Sequence, residues 1–163
     1  MANWQPYPPP YQSTYSSPMT LKAEVAYQIT DGYEESFSKN ELGHKLTTGK
    51  FTIAYSGDVE GEGHLMELKN HGNEDEATVY GLERFVGSVH GISGSFVLEY
   101  TGKYENGLLH STRRIVKNSG TGELQNIEGY IAFSHANAKE MKFTLRFKLP
   151  QYKDQIPDGI EPR

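Results

Sequence analysis

Proline and glycine are segregated along this chain, and no other feature narrows the fold as much. All eight prolines lie outside residues 19–149, and 16 of the 17 glycines fall between Gly32 and Gly129. Proline has no N–H to give to a sheet ladder, so a long proline-free stretch suits a sheet with few free edges. Glycine supplies the positive φ that tight turns and bulges need. The pattern predicts a β body between two non-β tails: an arm at 1–18, a β domain at 19–149 and a tail at 150–163.

Alternation within the body supports this. Leu21, Ala23, Val25, Tyr27 and Ile29 alternate with Lys22, Glu24 and Gln28, and Phe51, Ile53 and Tyr55 with Lys50, Thr52 and Ser56. Phe96, Leu98 and Tyr100 alternate with Ser95, Glu99 and Thr101, and Phe143, Leu145, Phe147 and Leu149 with Lys142, Thr144, Arg146 and Lys148. Each run has one apolar and one wet face. Less regular runs at about 60–69, 77–89, 107–117 and 128–135 bring the total to about eight strands. Eight strands are enough for a small all-β antiparallel barrel that is filled or holds one small ligand. Residues 31–44 show no strand period and read as a loop or a short helix.

At 163 residues the chain is most simply one domain. A net charge of −5 with both signs interspersed argues against a nucleic-acid footprint. Without cysteine there is no disulfide, thiolate nucleophile or thiolate metal site. No apolar run approaches the roughly 20 residues of a spanning helix, and the N-terminus has neither the basic start nor the apolar stretch of a secretory signal. The reading is a soluble, cytoplasmic protein with no membrane span. Residues 1–18 nevertheless carry Trp4, Tyr7, Tyr11 and Tyr15, either in a loose leader or in an extended arm over the barrel mouth or a neighbouring subunit.

No phosphate-cradling glycine loop and no nucleophile elbow is present, and the six histidines contain no HxH or HxxxH pair. Gly91-Ile-Ser-Gly94 reads as the corner between 79–89 and 95–102, which would set Arg84 near Tyr100 and Val86 near Leu98. In that register Tyr80, Leu82 and Arg84 share the lumen face with Tyr100, while opposite alternation puts Glu83 inside instead. Ser119-Gly-Thr-Gly-Glu-Leu124 is a demanding loop in which Ser119 and Thr121 can cap amides, with an anion nest as the functional alternative. A carboxylate or guanidinium in an apolar lumen must find a partner or shift its ionisation, and could then polarise a carbonyl or enolate. Glu83, Arg84 and Tyr100 are the candidate catalytic groups. Tyr27, Tyr55, Tyr80, Phe96, Leu98, His110, Tyr130 and Trp4 are candidate contacts, each of which also reads as an ordinary core or rim residue.

The segments SGDVEGEGHLMEL (56–68), YGLERFVGSVHGISGSFVLEYTG (80–102) and SGTGELQNIEGYI (119–131) together resemble a bacterial family of small uncharacterised proteins assigned to the allene oxide cyclase barrel-like group. The resemblance spans about residues 45–149, and the family often carries a histidine where Tyr100 stands here. It implies a small antiparallel barrel, often a homodimer, with a cavity open at one end. Relatives in the wider group include plant allene oxide cyclases and spirotetronate-type Diels–Alder cyclases, which work without cofactors by holding a reactive molecule in a productive shape. The implied function is a cofactor-free cyclase or isomerase acting on an apolar polyketide- or lipid-derived molecule. The alternatives are a non-catalytic barrel that binds a small apolar ligand and a structural dimer without a pocket.

Overall fold

The computed structural model describes residues 20–72, 76–135 and 140–151. Among the described residues nine strands form: β1 Leu21–Lys39, β2 Lys45–Gly57, β3 Val59–His71, β4 Glu76–Val89, β5 Ile92–Glu105, β6 Leu108–Ile115, β7 Thr121–Gly122, β8 Glu128–His135 and β9 Glu140–Lys148. Every pairing is antiparallel. The order β4-β3-β2-β1-β9-β8-β6-β5 is closed by β4 against β5, giving an eight-stranded barrel, with the short β7 added on β5 at Gly94 and Ser95. Among the described residues no helix is long and apolar enough to cross a membrane.

The alternating apolar residues became the inner wall. Val25, Ile53, Phe85, Phe96, Leu98, Ile131, Leu145 and Phe147 are all buried. Aromatic rings interlock across the lumen, with Phe85 4.8 Å from Phe96, Tyr55 5.3 Å from Phe85 and Tyr27 5.9 Å from Phe143 between centroids. Full burial of such side chains contributes about 1.5–3 kcal/mol each. The SGTGEL loop closes the barrel end where β5 begins. Ser119 accepts the Val97 amide at 3.0 Å and donates to the Val116 carbonyl at 2.6 Å. This holds the loop so that Leu124 and Ile127 pack into the core as a floor.

Two sequence expectations need correction. Residues 31–39 are strand rather than loop or short helix: β1 continues to Lys39, paired with β2 as far as Lys45. Register shifts between Ile29 and Asp31 and between Ser36 and Ser38 break the alternation, and the whole stretch is exposed, so it carries no apolar face to read. The β4–β5 corner is also tighter than expected. Val89 pairs with Ile92, leaving only His90 and Gly91 in the turn, with φ of 49° and 80°. Positive φ at both central residues is the hairpin turn whose twist matches its strands. Asn106-Gly107 makes the same turn between β5 and β6, with φ of 54° and 81°.

Candidate functional site

Moving that corner changes which side chains face inward. The expected neighbours were Arg84 with Tyr100 and Val86 with Leu98; the observed partners are Arg84 with Val97, Val86 with Ser95, Gly81 with Tyr100 and Glu83 with Leu98. The displacement is an odd number of residues, so the β4 side chains exchange faces. Arg84 is exposed on the outer wall and Glu83, 1% exposed, is in the lumen.

Glu83 sits at the centre of a buried polar group. Its Oε2 accepts the Tyr55 phenol at 2.5 Å and its Oε1 accepts the Tyr100 phenol. Gly63 on the adjacent strand makes the room, since a methyl group there would fall on Glu83 Oε2 and within 3.0 Å of the Tyr55 ring. Burial pushes the Glu83 carboxyl above its usual range, against the opposing charge of Arg113 and the two phenol hydrogen bonds. Burial also drives the Tyr100 and Tyr55 phenols well up, helped by the neighbouring Glu83 charge. Both tyrosines therefore remain protonated donors.

Arg113 on β6 is the second buried charge, and sequence reasoning missed it. Its guanidinium carbon lies 3.9 Å from the Tyr100 ring centroid, 4.8 Å from Phe133 and 5.0 Å from Tyr27. These contacts are cation–π interactions in a water-poor setting. Nε and Nη1 are buried and have no hydrogen-bond acceptor among the described residues. The signal was present: Leu109, Ser111, Arg113 and Ile115 share one parity, and both ends of the run are apolar and buried. The adjacent Arg114 points outward and pairs with Glu99 at 2.6 Å.

Successive register rows show how the lumen changes along its axis. One row runs Ile115–Leu98–Glu83–Leu65–Phe51–Gly32. The next towards the mouth runs Ile131–Arg113–Tyr100–Gly81–Glu67–Gly49–Glu34, and the one beyond it Phe133–Ser111–Gly102–Val79–Lys69–Thr47–Ser36. The two upper rows place charged groups beside glycines whose inner faces are covered by neighbours: Phe51 lies over Gly49, Leu65 and Glu67 against Gly81, and Leu109 and Ser111 against Gly102. At the mouth Lys69 bridges Glu34 at 2.8 Å and Glu67 at 3.5 Å and sits over the Tyr104 ring, while His71 contacts Thr47 at 3.2 Å. Burial raises Glu67, whereas the Lys69 hydrogen bond and charge outweigh burial at Glu34 and lower it. Below Glu83 the lumen is packed, and the enclosed space among Val25, Tyr55, Phe85, Phe96, Phe143 and Leu145 amounts to about 10 Å³. That is room for one water at most.

Of the sequence candidates, Glu83, Tyr100, Tyr55, Tyr27, Phe96 and Leu98 are brought together in the lumen. Arg84, Tyr80, His110 and Tyr130 are not. Tyr80 and His110 border an open groove on the outer wall of β4, β5, β6 and β8. Tyr130 belongs to the outward parity of β8, opposite Arg114 and Arg146. Trp4 and the arm that was to carry it lie outside the described residues.

A family profile described as "Protein of unknown function (DUF3224)" matches residues 23–147. The crystal structure of a protein of unknown function from the same family of Shewanella oneidensis MR-1, at 1.84 Å resolution, superposes with a TM-score of 0.67 at 22% identity. The match covers 80% of this chain and 97% of that one. No curated protein matches.

Proposed function

The chain belongs to this family of unknown function, and we propose that its barrel is a cofactor-free isomerase or cyclase acting on a small carbonyl compound, with Glu83 as the proton-carrying group. One observation carries the proposal: Glu83 is a carboxyl with 1% exposure, held by two phenols and pushed towards its protonated form, in the same lumen as a buried guanidinium. A titratable group placed in this way is suited to general acid–base work near neutral pH. The carboxylate would take a proton from the carbon next to the carbonyl. The C–H electrons would form the enolate, and the same carboxyl would return the proton at another carbon. The step is redox-neutral and needs no co-reactant. Tyr55 and Tyr100 would orient the carboxyl, and the Arg113 charge would favour the enolate.

The resemblance to the allene oxide cyclase barrel-like group supports cofactor-free ring closure as one form of this chemistry, by analogy of fold. The packed floor favours a smaller substrate than an extended polyketide or lipid. A second reading, a non-catalytic small-ligand barrel, is favoured by a different observation: both Glu83 oxygens already hold phenols.

The test is a panel of small enolisable ketones and conjugated carbonyl compounds incubated with the protein in D₂O and followed by NMR. Deuterium uptake next to the carbonyl that is lost in Glu83→Gln and kept in Arg84→Ala is the expected result. Exchange at the background rate throughout, or exchange that survives Glu83→Gln, would sink the catalytic reading. Saturable binding without exchange would leave the binder.

A further inference from the structure

We propose that Arg113 forms a subsite for a planar, delocalised oxyanion, so that the barrel's ligand is a small conjugated carboxylate or an enolate rather than a neutral apolar molecule. This rests on reading the lumen as a small-molecule site, and it adds the ligand's charge, shape and size.

The charge follows from what the protein leaves undone. A buried guanidinium normally spends its N–H groups on acceptors, because each donor left unmade costs free energy. At Arg113 both Nε and Nη1 lack one among the described residues, with the residue only 2% exposed. Glu83 makes no ion pair with it; its two oxygens are occupied by Tyr55 and Tyr100 instead. The protein thus buries a cation, engages the Glu83 carboxyl with two phenols and leaves Nε and Nη1 open. An oxyanion would satisfy both the charge and the donors, and charge-assisted bonds of this kind are the stronger class.

The shape follows from the rings. Tyr100, Phe133 and Tyr27 surround the guanidinium carbon at 3.9, 4.8 and 5.0 Å, and Phe133 stacks on Phe143 with planes 13° apart. A flat, conjugated frame fits between such faces better than a puckered ring. The size follows from the rows. The floor beneath is full, and on the mouth side Phe51 lies over Gly49 and Leu65 against Gly81, so the site takes only a small ligand. A ligand therefore occupies the mouth side only. Lys69, 14% exposed, stands along that approach with its charge already paired to Glu34 and Glu67, which leaves Arg113 as the group for the oxyanion.

Benzoate is the direct probe, with benzamide as its neutral counterpart and cyclohexanecarboxylate as its non-planar one. Titration of the whole protein, read by calorimetry and by shifts of the aromatic NMR signals, should show benzoate binding most tightly. Benzamide should bind roughly 30-fold or more weakly, the loss typical when one side of a buried charge pair is removed. Arg113→Lys should weaken benzoate by a similar factor, because a point charge cannot reproduce the planar fork. Arg114→Met, which removes an outward charge of the same sign, should leave it unchanged. Equal binding of benzoate and benzamide, no saturable binding of benzoate, or full binding in Arg113→Lys would each overturn the subsite. If the Arg113 variant does not fold, the benzoate–benzamide comparison on the native protein decides. Carbonyl exchange without benzoate binding would remove the oxyanion subsite and keep the isomerase; benzoate binding without exchange would do the reverse.

Discussion

The two halves of this barrel lumen use the same wall differently. Towards the closed end the inner residues are Phe85, Phe96, Phe147, Val89, Ile92 and Leu21, completed by Leu124 and Ile127, with almost no space left between them. Towards the mouth the same strands present Glu83, Arg113, Glu67, Lys69, Glu34 and Thr47 beside glycines. Apart from the two register shifts in β1, the strands run on from one half into the other, so the change lies mainly in the inner side chains. Apolar packing is stabilising in proportion to the area it removes from water, whereas buried charges contribute little net stability and are costly when left unpaired. The floor therefore holds the fold together, while the mouth half buries charge at a cost in stability.

The contrast breaks most visibly if the floor tolerates truncation. Phe85→Ala or Phe147→Ala should cost about 3–5 kcal/mol, read by chemical denaturation. A loss near that of an ordinary surface change would mean that the floor is not the stabilising half. The opposite sign is expected of the polar half. Joint replacement of the two buried charges, Glu83→Gln with Arg113→Met, should leave stability unchanged or raise it by about 1–4 kcal/mol while abolishing oxyanion binding. A large destabilisation would show that these charges are structural.

Gly63→Ala sharpens the boundary between the halves. Its methyl would displace the Glu83 carboxyl from Tyr55, at a cost of about 1–3 kcal/mol typical of overpacking. A loss of Glu83-dependent exchange out of proportion to that cost would confirm that carboxyl placement matters more than packing there.

Acidity gives a smaller and directional test. Glu83 and Glu67 are raised in the folded protein, so folding binds their protons more tightly than the unfolded chain does. Their contribution is fully present below the usual carboxylate value of 4.5 and is lost as pH rises through the folded values. Melting temperature should therefore decline above that point, and Glu83→Gln should flatten the decline. Glu34, lowered by Lys69, acts in the other direction and loses its contribution on acidification. A wild-type curve that rises through this window with no change in Glu83→Gln would contradict the assignment. The smallest effect is expected outside: Arg84→Ala should stay within about 0.5 kcal/mol.

How much of this was legible in the sequence depended on which physical signal each part used. The barrel was, because Phe96, Leu98 and Tyr100, or Phe143, Leu145 and Phe147, alternate wherever a strand has one dry face. The β1 extension was not, because Glu34, Glu35 and Lys39 lie where both faces are wet and bulges interrupt the period. Glu83 and Arg84 were both in view, but choosing between them required the turn. His90 in a positive-φ position carries a far weaker signal than the Gly91…Gly94 pair beside it. Arg113-Arg114 reads as part of a strand because Ile115 follows directly, but the pair itself does not say which of the two turns inward.

The two-residue turn at His90–Gly91 also limits how this barrel can change over time. Substitutions along β4 and β5 adjust one side chain each, but adding or deleting a single residue at that corner would turn a whole strand inside out. Glu83 and Phe85 would meet solvent, and Arg84 and Val86 would enter the core. Length variation there is tolerable only in steps of two, or with a compensating bulge. The Asn106–Gly107 turn between β5 and β6 is bound by the same count, so these corners are inherited as a number of residues more strictly than as a sequence.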